Sequence, residues 1–177
     1  MKKAVFLDRD GVINRVTIED GKPLSPKKLG EFEFTPGIER FVSDLKEAEY
    51  LRIVVTNQPD IARGRLERSE LERMHDLVRR RLEIDAIYVC LHDDGDNCDC
   101  RKPKPGMLIR AAREWGIDTS RSFMVGDTWR DMAAGKGTGC FTILLDAPYN
   151  RAVKSDCRVN GFSEALKIIL ADGSTRK

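Results

Sequence analysis

The sequence predicts a three-layer α/β/α fold with a mostly parallel sheet, and three observations predict it. Short apolar runs alternate along the chain with segments of helical periodicity. Several runs end on polar residues that carry chemistry: Asp8-Arg9-Asp10-Gly11, Thr56-Asn57 and Gly126-Asp127. No repeat, low-complexity stretch or linker divides the 177 residues, so one domain spanning 1–177 is expected. In such folds right-handed crossovers join the parallel strands, and ligands bind outside the strands' carboxyl ends.

Each element follows from its residues. Lys3 to Leu7 is the first strand, buried and ending at an acidic pair. Residues 11–34 are mixed and turn-rich, with Asp20-Gly21-Lys22-Pro23 and Ser25-Pro26, and predict an excursion over the surface. Thr35-Pro36 sets a capping residue before a proline at the first helical position. Ile38, Phe41, Val42, Leu45 and Ala48 then follow at helical spacing. Leu51 to Val55 is the second strand. Ser69-Glu70-Leu71-Glu72 fits a capping box that opens a helix through about Leu82. Ala86 to Leu91 is the third strand. Pro105 starts a helix with Leu108, Ile109 and Ala112 on one side and Gly116 as its stop. Ser122 to Val125 is the fourth strand, and a short helix through Ala133-Ala134 leads into glycine-rich residues 135–139. Phe141 to Leu145 is the fifth strand, and Ser163 caps a last helix ending near Ala171.

Charged residues make up 34% of the chain, yet the net charge is only +2. That balance argues against a nucleic-acid binder with a strong basic field. Arg79-Arg80-Arg81 sits within a helical pattern and is expected to be a solvated face. Only Ala4 to Leu7 follow the two N-terminal lysines, too short a run for a signal-peptide core. No stretch approaches the roughly 20 apolar residues that span a membrane. Five cysteines, three of them between residues 90 and 100, suit a metal better than a disulfide framework. The expectation is a cytoplasmic enzyme in a reducing compartment, acting as a monomer on a small molecule, with no nucleic-acid or membrane partner.

The polar strand ends suit phosphoryl transfer. A phosphate ester is anionic and repels a carboxylate nucleophile unless a cation lies between them. Asp8 and Asp127 can hold Mg²⁺ through oxygen ligands, and Asp8 can then attack phosphorus to form an aspartyl-phosphate. Asp10 is placed to protonate the leaving alkoxide and then to deprotonate water. Gly11 permits a sharp backbone path past the metal. Thr56 offers a hydroxyl, and backbone N–H groups near Asn57 can meet the transferred phosphoryl oxygens. Lys102 neutralises the phosphorylated intermediate, while Asp131 reaches the metal through water or orients a ligand.

Cys90-Leu91-His92 and, five residues on, Cys98-Asp99-Cys100 supply three thiolates and an imidazole. That set satisfies tetrahedral Zn²⁺ without an open position, so the zinc is expected to be structural and to hold Arg101 and Lys102 at the site mouth. His75, in the middle of a helical pattern, is expected to be partly exposed. Cys140 reads as core, Cys157 has no evident partner, and Trp115 and Trp129 read as packing residues, with a place at the substrate's border as the alternative for Trp129, which follows the Gly126-Asp127 motif.

The segments Asp8-Arg-Asp10-Gly-Val, Thr56, Lys102 and Gly-Asp127…Asp131 resemble the four motifs of the haloacid dehalogenase superfamily of phosphatases, over about Lys3 to Leu145. The resemblance implies a Rossmann-like core, Asp8 as nucleophile and Asp10 as acid/base. It also implies Mg²⁺ held by Asp8, the backbone carbonyl of Asp10, and Asp127. With its zinc loop the chain is similar to the subgroup of heptose-1,7-bisphosphate 7-phosphatases and histidinol-phosphate phosphatases, which have no large cap domain. The resemblance rests further on Asn14, Thr56-Asn57-Gln58, Ile61-Ala-Arg-Gly64 and Cys100-Arg-Lys-Pro…Pro105-Gly-Met107. It implies that Arg101 and Lys102 bind substrate, with Asn14, Thr56, Asn57 and Gln58 as further contacts. Loops 14–30, 57–65 and the zinc loop are expected to shape the pocket. Pro59-Asp60, Leu91 and the five-residue zinc spacer depart from the heptose enzymes' usual pattern, all within those loops. The substrate expected is a phosphorylated sugar, a heptose bisphosphate in nucleotide-sugar assembly. Histidinol phosphate is the alternative, and a zinc-stabilised module without catalysis is the alternative of another class.

Overall fold

The computed structural model describes residues 1–175. Its sheet runs, in spatial order, β5 (Ala86–Cys90), β4 (Leu51–Asn57), β1 (Ala4–Leu7), β6 (Phe123–Gly126), β7 (Phe141–Leu145) and β8 (Cys157–Val159). Every pairing within it is parallel. The chain moves outward from β1 through β4 to β5, then crosses back to lay β6 on the other side of β1. The connections therefore leave β1 and β6 in opposite directions, which opens a crevice at their carboxyl ends. Asp8 and Asp127 stand at those two ends.

Alternation along the strands separates two cores. Val5 and Leu7 of β1, Val54 of β4 and Val125 of β6 face one side. There they meet α1 (Ile38–Glu47), α2 (Arg68–Arg81) and α5 (Phe162–Thr175). Ala4, Phe6, Ile53, Val55 and Met124 face the other side, against α3 (Gly106–Trp115) and α4 (Trp129–Lys136). Buried strands of this kind read as continuous apolar runs, which is why β1, β4, β6 and β7 were legible. This is the expected three-layer, Rossmann-like arrangement without a large cap.

Several expectations are corrected. Residues 11–34 are more than a surface excursion: Val12, Ile13 and Phe32 are buried in the core. Thr17–Glu19 (β2) and Lys22–Leu24 (β3) form an antiparallel hairpin. Asp20 and Gly21 take φ of 49° and 73°, the paired positive values of a tight primed turn. Thr35-Pro36 does not open α1. Gly37 has φ 87° and the Ile38 N–H reaches the Thr35 carbonyl at 3.1 Å, so Thr35-Pro36-Gly37-Ile38 is a type II turn, and α1 starts after it. Ser69 is not a cap, because α2 begins at Arg68 with Glu67 before it. Helix α3 buries Met107, Leu108 and Ala111, whereas Ile109 is 54% exposed. Its first turn is docked tightly, since a Cβ on Gly106 would lie 2.2 Å from the Asp99 carbonyl oxygen. The edge strand β8 escaped detection because three residues around a central arginine make no apolar run.

Candidate active site

Strand β1 delivers Asp8 and Asp10 to the crevice, β4 delivers Thr56 and Asn57, and β6 delivers Asp127. Helix α4 adds Asp131, whose Oδ2 accepts from the Thr128 N–H (3.0 Å) and hydroxyl (2.6 Å) at the helix start. Asp8, Asp127 and Asp131 are all buried, and one carboxylate oxygen of each lies within 4.8 Å of the others. Between them comes Lys102, 2% exposed. Its ammonium lies 2.8 Å from Asp8 Oδ1 and donates to Asp131 Oδ1 (2.6 Å) and the Val55 carbonyl (2.8 Å).

Charge in this cluster does not balance. Burial, reinforced by Asp131, pushes the Asp8 carboxyl up to about 7 against the pull of Lys102. Burial, then Asp131 and Asp8, lift Asp127 well above the usual carboxylate range. Burial opposes the Lys102 charge, but Asp131 and Asp8 outweigh it and hold the ammonium above its ordinary value. Three buried carboxylates around one ammonium suit a divalent cation bound through oxygen. Asp127 Oδ1 supports that fit directly: it is buried with no hydrogen-bond partner among the described residues.

Two glycines make room for this cluster. Gly11, at φ 86°, passes so close that a Cβ there would lie 2.0 Å from Asp127 Oδ2. A Cβ on Gly126 would lie 2.2 Å from the Asp131 Cβ.

Asp10 is gripped separately. Arg9 donates to Asp10 Oδ1 from Nε (3.1 Å) and Nη2 (2.8 Å), Asn14 donates at 3.0 Å, and Gln58 donates to Oδ2 at 2.7 Å. Burial works against the Asp10 charge, yet Arg9, Asn14 and Gln58 outweigh it and hold the carboxyl below its usual range. The Gln58 amide also reaches Thr56 Oγ1 (2.9 Å). Asn57 exchanges two hydrogen bonds with the Lys102 peptide, at 2.9 and 3.0 Å. Asn14 and Gln58 thus hydrogen-bond Asp10 and Asn57 the Lys102 backbone, while Asn57 and Gln58 also line the cleft in which substrate contact was expected.

Beyond β5, Cys90, His92, Cys98 and Cys100 gather. Five of the six separations between their sulfur and Nδ1 atoms run from 3.3 to 3.7 Å. A tetrahedron of ligands with Zn–S near 2.3 Å has edges of about 3.7 Å, so the set matches a closed zinc site. Arg101, just after the cluster, donates to Asp94 (2.8 Å) and to the His92 carbonyl (3.3 Å). Arg63 ties loop 57–65 to the cysteine loop through a bidentate pair with Asp93. Leu91, one of the departures from the heptose enzymes' usual pattern, packs against the larger core. These loops and the β2–β3 hairpin wall a cleft of about 500 Å³ with Asp8, Asp10 and Lys102 among its lining residues. Trp129 is 50% exposed, a correction to its reading as a packing residue.

The haloacid dehalogenase-like hydrolase family profile matches residues 17–139. The D-glycero-beta-D-manno-heptose-1,7-bisphosphate 7-phosphatase of Pasteurella multocida is 43% identical, with 77% of each chain covered. The chain belongs to the haloacid dehalogenase-like hydrolases. The D-glycero-alpha-D-manno-heptose-1,7-bisphosphate 7-phosphatase of Campylobacter jejuni is 39% identical over 81% of each chain. The D,D-heptose 1.7-bisphosphate phosphatase from B. bronchiseptica, solved with magnesium and phosphate, superposes with a TM-score of 0.84 at 30% identity, covering 96% of this chain and 99% of that one.

Two buried residues of this hydrolase were not anticipated. Arg9 is 0% exposed and carries the grip on Asp10. His75, expected to be partly exposed, is only 2% exposed, with Nε2 3.4 Å from Arg9 Nη1. Leu71, Met74 and Val78 already mark the inner face of α2, and position 75 lies on it. Burial, then Arg9 and Arg79, lower the His75 pKa to about 3. The folded value lies below the unfolded one, so this stability is complete above about pH 6.5 and is lost as pH falls toward 3. At pH 5 the loss is about 1–2 kcal/mol. Denaturant midpoints at pH 7 and pH 5 should therefore fall more in the wild type than in His75→Gln; equal losses would clear His75.

Proposed function

We propose that this hydrolase is a Mg²⁺-dependent phosphatase that removes the 7-phosphate of D-glycero-D-manno-heptose 1,7-bisphosphate through an aspartyl-phosphate. The observation that carries the reading is the buried Asp8–Lys102–Asp127–Asp131 cluster, of which Asp8, Lys102 and Asp131 line a cleft whose walls carry several basic side chains. Asp8, the Asp10 carbonyl and Asp127 would hold the ion. When bound, Mg²⁺ neutralises charge on the phosphoryl oxygens. Asp8 attacks phosphorus, and Asp10 protonates the leaving sugar alkoxide and later takes a proton from the hydrolytic water. The donors around Asp10 favour its base form at rest; an approaching substrate anion raises its pKa and populates the acid. Thr56 and Lys102 stabilise the transferred group. Asn14 and Gln58 orient Asp10, and Asn57 orients Lys102.

Lys22, Lys27, Arg65 and Arg130 also line the cleft, beyond the side chains that hold Asp8 and Asp10. A second anionic group on the substrate suits that lining, as a bisphosphate supplies and histidinol phosphate, with its cationic amine, does not. Cys90, His92, Cys98 and Cys100 bind a structural zinc that fixes Arg101 and Lys102. The five free cysteines accord with reducing cytoplasm, and the chain acts as a monomeric single domain. Among the described residues no helix is long and apolar enough to cross a membrane.

Phosphate release from both anomers of the heptose bisphosphate should exceed release from histidinol phosphate by at least about 100-fold in kcat/KM, a gap of some 2.7 kcal/mol. Elemental analysis of the same preparation should give about one zinc per chain. A preference for histidinol phosphate would reassign the substrate, and no release from a broad panel would favour a non-catalytic module.

A further inference from the structure

The segment after β7 lies outside the residues matched by the family profile, yet it reaches the centre of the site. The Tyr149 hydroxyl donates to Asp127 Oδ2 at 2.5 Å. Gly11 closes the same oxygen from another side, where a Cβ would stand 2.0 Å from Oδ2 and 3.0 Å from the Tyr149 hydroxyl oxygen. The other oxygen, Oδ1, is buried without a partner among the described residues. Next in sequence, the Asn150 amide donates to the Asp127 and Leu145 carbonyls, each at 2.8 Å. Arg158 on β8 holds Asn150 in turn, donating to its side-chain oxygen (2.9 Å) and its carbonyl (3.0 Å) and, at 2.9 Å, to the Val153 carbonyl. The phenol is therefore carried by a braced turn rather than by a loose loop.

We propose that Tyr149 is a positioning residue that occupies one oxygen of Asp127 and leaves the other for the cation, so that Asp127 binds through a single oxygen and the site favours Mg²⁺ over Ca²⁺. The inference rests on the Mg²⁺ reading above. Mg²⁺ demands near-octahedral geometry with short bonds, which one-oxygen carboxylate ligands satisfy. Ca²⁺ is larger, takes six to eight oxygens and gains from a carboxylate that offers both. A carboxylate with Oδ2 held by a phenol and walled by Gly11 cannot swing to offer both. Partners of this kind, one step behind a metal ligand, typically change metal affinity by 10–100-fold when removed.

The test compares the full chain with Tyr149→Phe, which removes one oxygen and keeps the ring. Two readouts are taken: the shift in melting temperature on titration with Mg²⁺ or with Ca²⁺, and inhibition of Mg²⁺-dependent phosphate release by Ca²⁺. In Tyr149→Phe the Mg²⁺ midpoint should rise about 10-fold while the Ca²⁺ midpoint stays or falls. Ca²⁺ should then inhibit at roughly 10-fold lower concentration. Equal shifts for both metals, or no shift for either, overturn the role assigned to Tyr149. The metal-free melting temperature of the variant reports whether the braced turn survives; if it collapses, Tyr149→His, which keeps a donor, is titrated instead and should retain the wild-type preference for Mg²⁺, and its loss overturns the role. A wild type that responds to neither metal overturns the Mg²⁺ reading itself, whereas a responsive wild type with an unchanged variant overturns only the inference.

Discussion

Asp8→Asn should lose at least about 10⁴-fold in turnover, because the amide cannot form the acyl-phosphate link. The same change should make the metal-free protein more stable. Asp8 has a folded pKa of about 7, raised by burial and Asp131 above its ordinary 3.8. A raised value means that the protonated form suits the fold. That contribution is complete below about pH 3.8 and is lost as pH rises through 7. At pH 8 the wild type therefore carries an ionised carboxylate that the fold resists, and asparagine relieves it by roughly 2–4 kcal/mol. Denaturant unfolding without metal, from pH 5 to 8, should show the gap between variant and wild type widening with pH. Wild-type turnover in Asp8→Asn would remove the covalent mechanism. A flat gap would mean that the carboxylates do not repel as their burial demands.

The second large effect is at Lys102, and its sign for stability is opposite. Lys102→Met keeps the stem's volume but leaves Asp8 and Asp131 without their shared ammonium and the Val55 carbonyl without its donor. Removing one partner from a buried ionic cluster typically costs 3–5 kcal/mol, because the remaining charges are left uncompensated. A loss of about that size is expected at pH 8, together with a fall of roughly 10³-fold in turnover. Mg²⁺ should restore more melting temperature to this variant than to the wild type, since it becomes the cluster's sole cation. Were Lys102→Met to unfold at the wild-type denaturant concentration, the carboxylates would have to be neutral without it.

Sequence carried the site further than it carried the fold's margins. Asp8, Thr56 and Asp127 were legible because each ends an apolar run that can only be a buried strand, and parallel strands present those ends together. The type of contact was less legible. Asn14 and Gln58 read as substrate contacts, and the hydrogen bonds they also make to Asp10 were not legible, because an amide's neighbour is set by packing. His75 lies on the face that Leu71, Met74 and Val78 define, and its burial follows from that face rather than from its own polarity. Strand β8 and Tyr149 gave no signal: one is three residues long, and the other sits in a turn whose purpose appears only when residue 127 lies beside it.

The two tight glycines have a consequence for how this chain tolerates change. Gly11 and Gly126 remove no charge, donate no side-chain hydrogen bond and touch no substrate, yet each contributes an absence that a particular aspartate fills. Asp127 needs a missing methyl at residue 11, and Asp131 needs one at residue 126. The acidic centre is thus encoded as couples, a carboxylate in one segment and an empty position in another, and two of the four letters are blanks. Nothing within 4 Å would meet a methyl at Gly30, Gly95 or Gly161. An alanine at residue 11 or 126 would instead imitate the loss of an aspartate more than a hundred residues away or five residues on, and a survey of inactivating changes would place both glycines among the acids they accommodate.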